Sequence, residues 1–296
     1  MIDKFLEYLE LEKRYSTHTI TSYRKDLTSF MDFYLQTEGS SDITKVSKKI
    51  IRNFIMELSS RGLAKRSINR HLSSLRSIFV FLLKIGEVEI SPVESIQSLK
   101  FYAEKQIPFS QDEMDDLKNN IENTQQMPLL ERLIIETLYQ TGMRKTELCN
   151  LLLNHVDFSK KELIVIGKGN KMRVIPISEE LLQDYQSYLQ IRKPLPEFSQ
   201  YFFVNSKGKK LGEKFVYVKV NNYLSLVTTK KKKSPHILRH SFATHVLDNG
   251  AEISKVKKIL GHSSLASTQV YTNANIEQLK KVFNQAHPRA LKNEDL

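Results

Sequence analysis

The sequence predicts a mainly α-helical protein with a small β-sheet, divided into two domains. Apolar residues recur at helical spacing through residues 1–100 and through most of the remaining chain. The segments of β type are short apolar runs, chiefly Leu163–Ile166 and Val174–Ile177, on either side of a glycine-containing turn. A polar stretch without a clear pattern, residues 99–107, lies between the two helical regions and predicts a linker.

The composition is that of a folded and strongly basic protein. A chain of 296 residues with 40% hydrophobic and 26% charged residues is long enough for two domains and too apolar for disorder. The net charge of +12 favours a polyanionic partner, either nucleic acid or an anionic membrane surface. The sequence has no apolar run long enough to span a membrane and no signal-peptide pattern at residues 1–7. We therefore expect no membrane association.

The cysteine and metal-ligand content points to a cofactor-free protein of the cytoplasm. The single cysteine, Cys149, excludes an internal disulfide and suits a reducing compartment. Cys149 lies in an apolar run, which favours a place in the core over the alternative role of a thiol nucleophile. The sequence has neither a cysteine cluster nor a His-Glu-x-x-His motif, so we expect no metal and no other cofactor.

Residues 1–98 predict a helical domain with one basic face. Ser16 can cap a second helix, Ile50–Leu58 forms a third, and Ala64–Leu83 forms the longest. The polar face of this longest helix carries Lys65, Arg66, Arg70, His71 and Arg76. A solvated face is the usual meaning of such a run. Because acidic residues are absent between Arg61 and Leu83, however, a DNA-facing surface is the favoured interpretation.

Residues 108–296 predict a second domain in which helix ends place several polar side chains. Ser110 and Glu113 have the spacing of a capping box. An apolar helix over 129–140 ends at Gly142, and the next helix opens at Arg144, which puts Glu147 on the same side as Arg144. Lys168 lies near the tip of the predicted hairpin, and residues 213–226 are predicted to be helical.

The stretch that begins at Ser234 carries the densest set of candidate functional residues. Ser234 can cap a helix whose first residue is Pro235, so that His236 and Arg239 share one face. Gly250 ends that helix, and further helix ends or faces carry His262 and Tyr271. The run Lys231, Lys232 and Lys233 precedes the helix and could hold backbone phosphates. Two histidines, an arginine and a tyrosine suit chemistry on a phosphate, although each alone could be an ordinary surface or core residue.

Six residues, taken in chain order, resemble the signature of the tyrosine recombinase (phage integrase) family. They are Arg144, Lys168, His236, Arg239, His262 and Tyr271. Thr141-Gly-Met-Arg-Lys-Thr-Glu-Leu resembles the first arginine box of the family, and Pro235-His-Ile-Leu-Arg-His-Ser-Phe-Ala-Thr-His resembles the second. Leu260-Gly-His-Ser-Ser with Thr268-Gln-Val-Tyr resembles the nucleophile box. The resemblance covers the whole chain, and the ending His287-Pro-Arg-Ala is similar to that of the Xer branch.

The resemblance implies a fold and a role for each of these residues. An N-terminal core-binding domain and a mixed α/β catalytic domain would form a C-shaped clamp on DNA. Arg144 and Arg239 would donate to phosphate oxygens, supported by Glu147. Tyr271 would attack the phosphodiester and form a 3′-phosphotyrosyl intermediate without metal or ATP. His236 would accept the proton of the tyrosine, Lys168 would act as the general acid, and His262 would form a hydrogen bond to the phosphate.

The resemblance also implies partners. The first partner is double-stranded DNA with inverted-repeat half-sites. The protein would act on this DNA as a tetramer, either of identical chains or together with a second Xer recombinase. A septal DNA translocase would be the regulator. Residues 276–290 would form a helix exchanged between subunits, because the apolar face of Ile276, Leu279, Val282 and Phe283 is too small to stand alone. The role implied is resolution of chromosome or plasmid dimers. The alternatives are an integrase of a mobile element, a type IB topoisomerase and a non-catalytic DNA-binding regulator.

Overall fold

The chain divides into two units, Met1–Glu104 and Lys105–Leu296. The structure, a computed structural model, describes residues 1–102, 106–123, 128–167, 170–261 and 273–291. Helices predominate in both units, and one small sheet lies in the second, which confirms the predicted fold class.

Four α-helices build the described part of the N-terminal unit. They are α1 (Ile2–Leu11), α2 (Thr17–Glu38), α3 (Lys48–Ser60) and α4 (Lys65–Lys84). Ser16 caps α2 by accepting a hydrogen bond from the Thr19 amide, and Gly39 ends that helix in the left-handed conformation. The apolar faces of all four helices meet in one core, which includes the buried rings of Phe5, Phe30, Phe54 and Phe79.

The second unit surrounds one short antiparallel sheet with helices. The helices are α5 (Gln111–Asn123), α6 (Leu129–Thr141), α7 (Lys145–Cys149), α8 (Glu179–Ile191), α9 (Glu213–Val227), α10 (Pro235–Asp248), α11 (Ile253–Leu260), α12 (Asn273–Ala286) and α13 (Pro288–Leu291). The strands β1 (Val156–Asp157), β2 (Glu162–Ile166) and β3 (Met172–Pro176) pair in the order β1-β2-β3. Ser110 and Glu113 form the predicted capping box at the start of α5, through hydrogen bonds of 3.1 and 2.8 Å to each other's backbone amides.

Helix α10 is the centre of this unit. It packs against α6, α9, α11 and α12, which explains why apolar residues occupy more than one of its faces. Ile237, Leu238, Phe242 and Val246 are each no more than 1% exposed. A helix enclosed in this way fixes the position of every other side chain that it carries.

The C-terminal helices pack against the same unit. Leu279, Phe283 and Ala286 of α12 are buried in it, and Lys280 forms an ion pair of 2.7 Å with Glu162 of β2. Leu279 and Phe283 of the predicted apolar face are therefore covered within the chain in this structure. None of the helices within the described ranges is long and apolar enough to cross a membrane.

The turn between α6 and α7 has space for glycine alone. Gly142 has a φ of +58°, and a Cβ atom there would lie 2.6 Å from Cδ1 of Phe242 and 2.8 Å from Cδ2 of Leu260. Both contacts are far shorter than a carbon–carbon van der Waals distance. The glycine thus lets α10 and α11 approach the end of α6.

We expect Gly142→Ala to lower the free energy of unfolding by roughly 2–4 kcal/mol, because overpacking adds to the strain of a positive φ. Gly250→Ala is the matched control, since Gly250 has a φ of +88° and nothing within 4 Å of a built Cβ atom. Urea unfolding followed by circular dichroism measures both variants. Equal losses in the two variants would show that the close approach at Gly142 is unimportant.

Candidate active site

The first arginine box is held together by one carboxylate. Arg144 caps α7, and its backbone amide donates to Glu147 Oε2 over 2.7 Å. Its Nη1 donates to Glu147 Oε1 over 2.9 Å, while the Arg144 side chain is still 43% exposed. The carboxylate therefore orients a guanidinium that keeps donors available to a ligand.

The second arginine box places Arg239 in the protein interior. Its Nη1 and Nη2 each donate over 2.5 Å, to the carbonyl oxygens of Gly142 and Leu260 respectively. Burial, followed by the positive charges of Arg144 and Arg173, lowers the pKa of Arg239 to about 10. The group is still charged at neutral pH. Because Arg239 donates to the carbonyl of Gly142, two residues before Arg144, the fold brings the two predicted arginines into one site.

His236 lies one helical turn before Arg239. Pro235 occupies the first turn of α10, and His236 is exposed there while Arg239 is buried. The structure therefore places His236 and Arg239 in the first two turns of α10, with Arg239 bound to the segment that precedes Arg144. Lys168, His262 and Tyr271 lie outside the described residues.

Arg173, which the sequence analysis did not single out, completes the charged cluster. Its Nη1 and Nη2 donate to the two oxygens of Glu147 over 2.9 and 2.7 Å, and its Nε donates to the Ile259 carbonyl over 2.7 Å. Burial tends to raise the pKa of Glu147, but the hydrogen bonds and charges of Arg173 and Arg144 hold it below its ordinary value. An available signal was the alternation of β3, which points Arg173 to the same face as buried Ile175.

Cys149 is part of the core and not of the site. It is 3% exposed, and burial raises the pKa of its thiol to about 11. A thiol that is buried and protonated cannot act as a nucleophile at neutral pH. The predicted core position is confirmed.

A second buried polar network joins α6 and α10 and extends to the residue between α12 and α13. His245 Nε2 donates to the Phe109 carbonyl over 2.7 Å, so its Nδ1 accepts from the hydroxyl of Tyr139, 2.8 Å away. His287 is fully buried, and its ring stacks on Phe283 at a centroid distance of 4.9 Å. The sequence analysis did not single out either of these buried histidines.

The predicted DNA-facing residues of α4 have different surroundings. Lys65 and Arg66 are exposed. Arg70 forms an ion pair of 2.9 Å with Asp26 of α2, and Arg76 donates to the carbonyl of Ile96. The local sequence around α4 has no acidic residue, so it could not show that Arg70 pairs with a carboxylate of another helix. That these four residues face DNA stays a prediction.

His71 corrects one detail of this surface. The sequence pattern places it on the polar face of α4, but it is 7% exposed. Its ring meets that of Phe54 edge-on, and Nδ1 lies 3.4 Å from the Asp26 carboxylate. The imidazole therefore lies inward against an aromatic ring, and its Nδ1 makes no hydrogen bond to the nearby carboxylate.

The lysine run before α10 is partly tied to its own unit. Lys231 and Lys232 are exposed, whereas Lys233 is half-buried and its Nζ donates to the Thr228 carbonyl over 3.4 Å. The preceding Lys230 forms an ion pair of 2.6 Å with Glu113. A role in DNA binding stays a prediction for Lys231, Lys232 and Lys233.

Comparisons of sequence match both units to one family. The family described as "Phage integrase family" matches residues 108–278, and "Phage integrase, N-terminal SAM-like domain" matches residues 2–86. The tyrosine recombinase XerC of Oceanobacillus iheyensis is 37% identical over 296 residues, covering 98% of this chain and 96% of the relative. The protein of the same name from Lacticaseibacillus casei is 34% identical over 293 residues, covering 97% and 98%.

Comparisons of structure agree on the fold. The XerH site-specific recombinase bound to palindromic difH substrate, a post-cleavage complex, has a TM-score of 0.71 at 18% identity, covering 99% of this chain and 84% of that one. The Tn1549 transposon integrase in complex with transposon right-end DNA has a TM-score of 0.72 at 19% identity, covering 99% and 98%. Identities this low show a common fold alone.

The buried imidazole of His287 predicts acid sensitivity. Burial, followed by the charge of Arg289, lowers its pKa from 6.5 to about 3. A depressed histidine pKa stabilises the fold above pH 6.5, and this stability is lost as the pH falls from 6.5 towards 3. Between pH 7 and pH 5 we expect His287 to account for a loss on the order of 2 kcal/mol.

Urea unfolding of the parent and of His287→Phe at pH 7 and pH 5 measures this loss. The phenylalanine variant should lose less stability between the two pH values, because it keeps the aromatic stacking and has no proton to bind. His245, whose pKa burial also lowers, is present in both proteins and cancels in the difference. Identical losses would contradict the assignment.

Proposed function

The chain belongs to the phage integrase family and is a site-specific tyrosine recombinase, and we propose that it cuts and rejoins DNA through a 3′-phosphotyrosyl intermediate formed on Tyr271. The observation that carries this proposal is the convergence of Arg144 and Arg239, each held in place by the protein and each still charged. The rest of the mechanism follows from the chemistry of a phosphodiester.

The two arginines supply the phosphate site of the proposed reaction. A phosphodiester repels nucleophiles through its negative charge, and its transition state gathers further charge on the non-bridging oxygens. Guanidinium groups offer forked donors that stay charged, and they suit those oxygens without further proton transfer. Glu147 orients Arg144, and the carbonyls of Gly142 and Leu260 orient Arg239.

The nucleophile needs help to lose its proton. A tyrosine with a pKa near 10 must lose its proton at a cost of about 4 kcal/mol at pH 7. We assign His236 as the proton acceptor, because it is exposed on the same helix face as Arg239. Lys168 would protonate the departing 5′-oxygen, and His262 would donate to a phosphate oxygen. The covalent intermediate keeps the energy of the broken bond, so resealing needs no ATP.

Double-stranded DNA is the proposed substrate. The solved structures with the same fold include XerH on a palindromic site and a transposon integrase on transposon DNA. The net charge of +12 supports the same partner. We propose that two chains bind the half-sites of an inverted repeat, with Lys65, Arg66, Arg70, Arg76, Lys231, Lys232 and Lys233 among the phosphate contacts.

The biological role that we propose is resolution of chromosome or plasmid dimers in the cytoplasm. It is supported by identities of 34–37% to XerC proteins over nearly the full length of both chains. A second Xer recombinase as partner and a septal DNA translocase as regulator belong to the same proposal. Service to a mobile element is the alternative.

Loss of the Tyr271 hydroxyl should abolish the covalent complex. A suitable substrate is a nicked duplex bearing an inverted repeat, recovered with the purified chain from a randomised DNA pool. We expect the parent to form a protein–DNA adduct that survives denaturing electrophoresis, and Tyr271→Phe to bind the duplex without forming the adduct.

Tyr217→Phe is the matched control, because Tyr217 is an exposed tyrosine of the same unit, on α9. It should form the adduct at the parental rate. An adduct that persists in Tyr271→Phe would overturn the assignment of the nucleophile. A parent chain that binds the duplex without any adduct would contradict the proposed reaction.

Assembly through α12 can be tested by exchanging charges. We propose that, in a tetramer on DNA, α12 docks on a neighbour at the surface that it covers within its own chain. Lys280→Glu and Glu162→Lys each replace the ion pair of α12 and β2 by a repulsion. Each variant alone should form fewer tetramers on the duplex, and an equal mixture should recover them through pairs between chains. Mass photometry counts the subunits, and a mixture no better than its components would contradict exchange.

A further inference from the structure

Arg173 occupies a position in the sheet where an apolar side chain is expected. It pairs with Val165 in the hairpin and faces the same side of β3 as Ile175, and all three residues are at most 3% exposed. A guanidinium in such a place loses its hydration and destabilises the fold unless its donors find partners. Its retention among apolar neighbours calls for a specific reason.

The partners of Arg173 come from two other segments of the unit. Nη1 and Nη2 grip the Glu147 carboxylate as a fork, at 2.9 and 2.7 Å. Nε donates to the Ile259 carbonyl in the last turn of α11, at 2.7 Å. One buried side chain on β3 therefore contacts both the helix that Arg144 opens and the helix whose end Arg239 contacts.

Each residue that accepts a hydrogen bond from Arg173 either contacts an arginine of the proposed phosphate site or precedes a residue that does. Glu147, gripped on one side by Arg173, binds the backbone amide and Nη1 of Arg144 with the same two oxygens. Ile259 precedes Leu260, whose carbonyl accepts from Arg239. A shift of Arg173 would therefore move the supports of both arginines.

The start of the hairpin turn lies against the same ion pair. A Cβ atom built on Gly167 would be 3.4 Å from Glu147 Oε1 and 3.5 Å from Arg173 Nη1. The Gly167 amide donates to the Lys171 carbonyl over 2.8 Å, which closes the hairpin at that point. Gly167, the residue that follows β2 and precedes Lys168, thus lies beside the pair of Arg173 and Glu147.

We propose that Arg173 is a positioning residue for phosphoryl transfer, which sets Arg144 through Glu147 and the end of α11 through Ile259, relative to the hairpin. This inference rests on the proposed function of the same site. Arg173 itself is 3% exposed, with three donors committed to protein acceptors, so it acts through its neighbours and does not touch the DNA. A small displacement of catalytic groups can lower a rate by about a hundred-fold.

Arg173→Lys tests the inference because lysine keeps the charge and cannot form the fork. Adduct formation is measured in a single turnover, with the nicked duplex saturating and the temperature well below the melting temperature of each variant. We expect the rate to fall by about a hundred-fold while the affinity for the unnicked duplex is unchanged. Arg132→Lys is the control, since Arg132 pairs with Asp184 between α6 and α8. It should keep the parental rate.

A double-variant comparison separates positioning from mere stabilisation. If Arg173 acts through Glu147, Arg173→Lys combined with Glu147→Gln should cleave no more slowly than the slower single variant. Rate losses that multiply would overturn that route, and a parental rate in folded Arg173→Lys would overturn the inference as a whole. Should Arg173→Lys fail to fold, Arg173→Gln keeps an amide donor but cannot form the fork on Glu147. Native binding with slow cleavage in that variant supports the inference, and parental cleavage overturns it.

The result is distinguishable from failure of the proposed function. If the parent itself forms no adduct, the proposed reaction is wrong. If the parent forms an adduct that Tyr271→Phe lacks while Arg173→Lys matches the parent, the reaction stands and Arg173 has no positioning role.

Discussion

The second unit, Lys105–Leu296, is arranged around carbonyl groups at the C-termini of two helices. Arg239 donates to the carbonyls of Gly142, which ends α6, and of Leu260, which ends α11, and Arg173 donates to the carbonyl of Ile259 beside it. Carbonyls in the last turn of a helix have no partner within the helix and lie at the negative end of its dipole. They can therefore stabilise buried cations without a carboxylate, provided that the two helices approach each other closely. Gly142 permits that approach, because any Cβ atom there would strike Leu260.

This arrangement leaves the site with more positive than negative charge. Among the residues that the structure describes in this cluster, Arg144 and Arg173 both pair with the Glu147 carboxylate and Arg239 pairs with carbonyl groups alone. These three positive charges and one negative charge leave an excess of two. The lowered pKa of Arg239 is the electrostatic consequence of that excess and of burial. In a medium of low dielectric this repulsion is unfavourable, and the binding of a phosphate would relieve it. A transition state with additional negative charge relieves it further, which is the condition for catalysis by differential binding.

The sequence predicted the helix ends and the first members of the site, and it did so from local chemistry. Caps such as Ser110 with Glu113, and the ion pair of Arg144 with Glu147, join residues three apart, which is within the range of sequence patterns. The roles of Arg173 and His71 were not predicted, because their partners lie far away in sequence and the local pattern shows only a charge in a strand or on a helix. The fold was thus predictable from periodicity. The network that holds the site was not.

Two buried arginines, Arg173 and Arg289, differ in the charges that surround them, and the sequence alone does not show this difference. Arg289, which is 1% exposed, forms ion pairs with both Glu136 and Asp115, and its guanidinium lies 5.4 Å from the ring centre of Tyr139. Although burial pulls its pKa down, the charge of Glu136 raises it above the ordinary value. The two carboxylates balance the positive charge of this group, so a further anion would gain no favourable electrostatic energy by approaching it. Arg173 is just as buried but belongs to a cluster that is short of negative charge. The same residue type therefore holds the C-terminal segment in one place and, in the other, supports a site with an excess of positive charge.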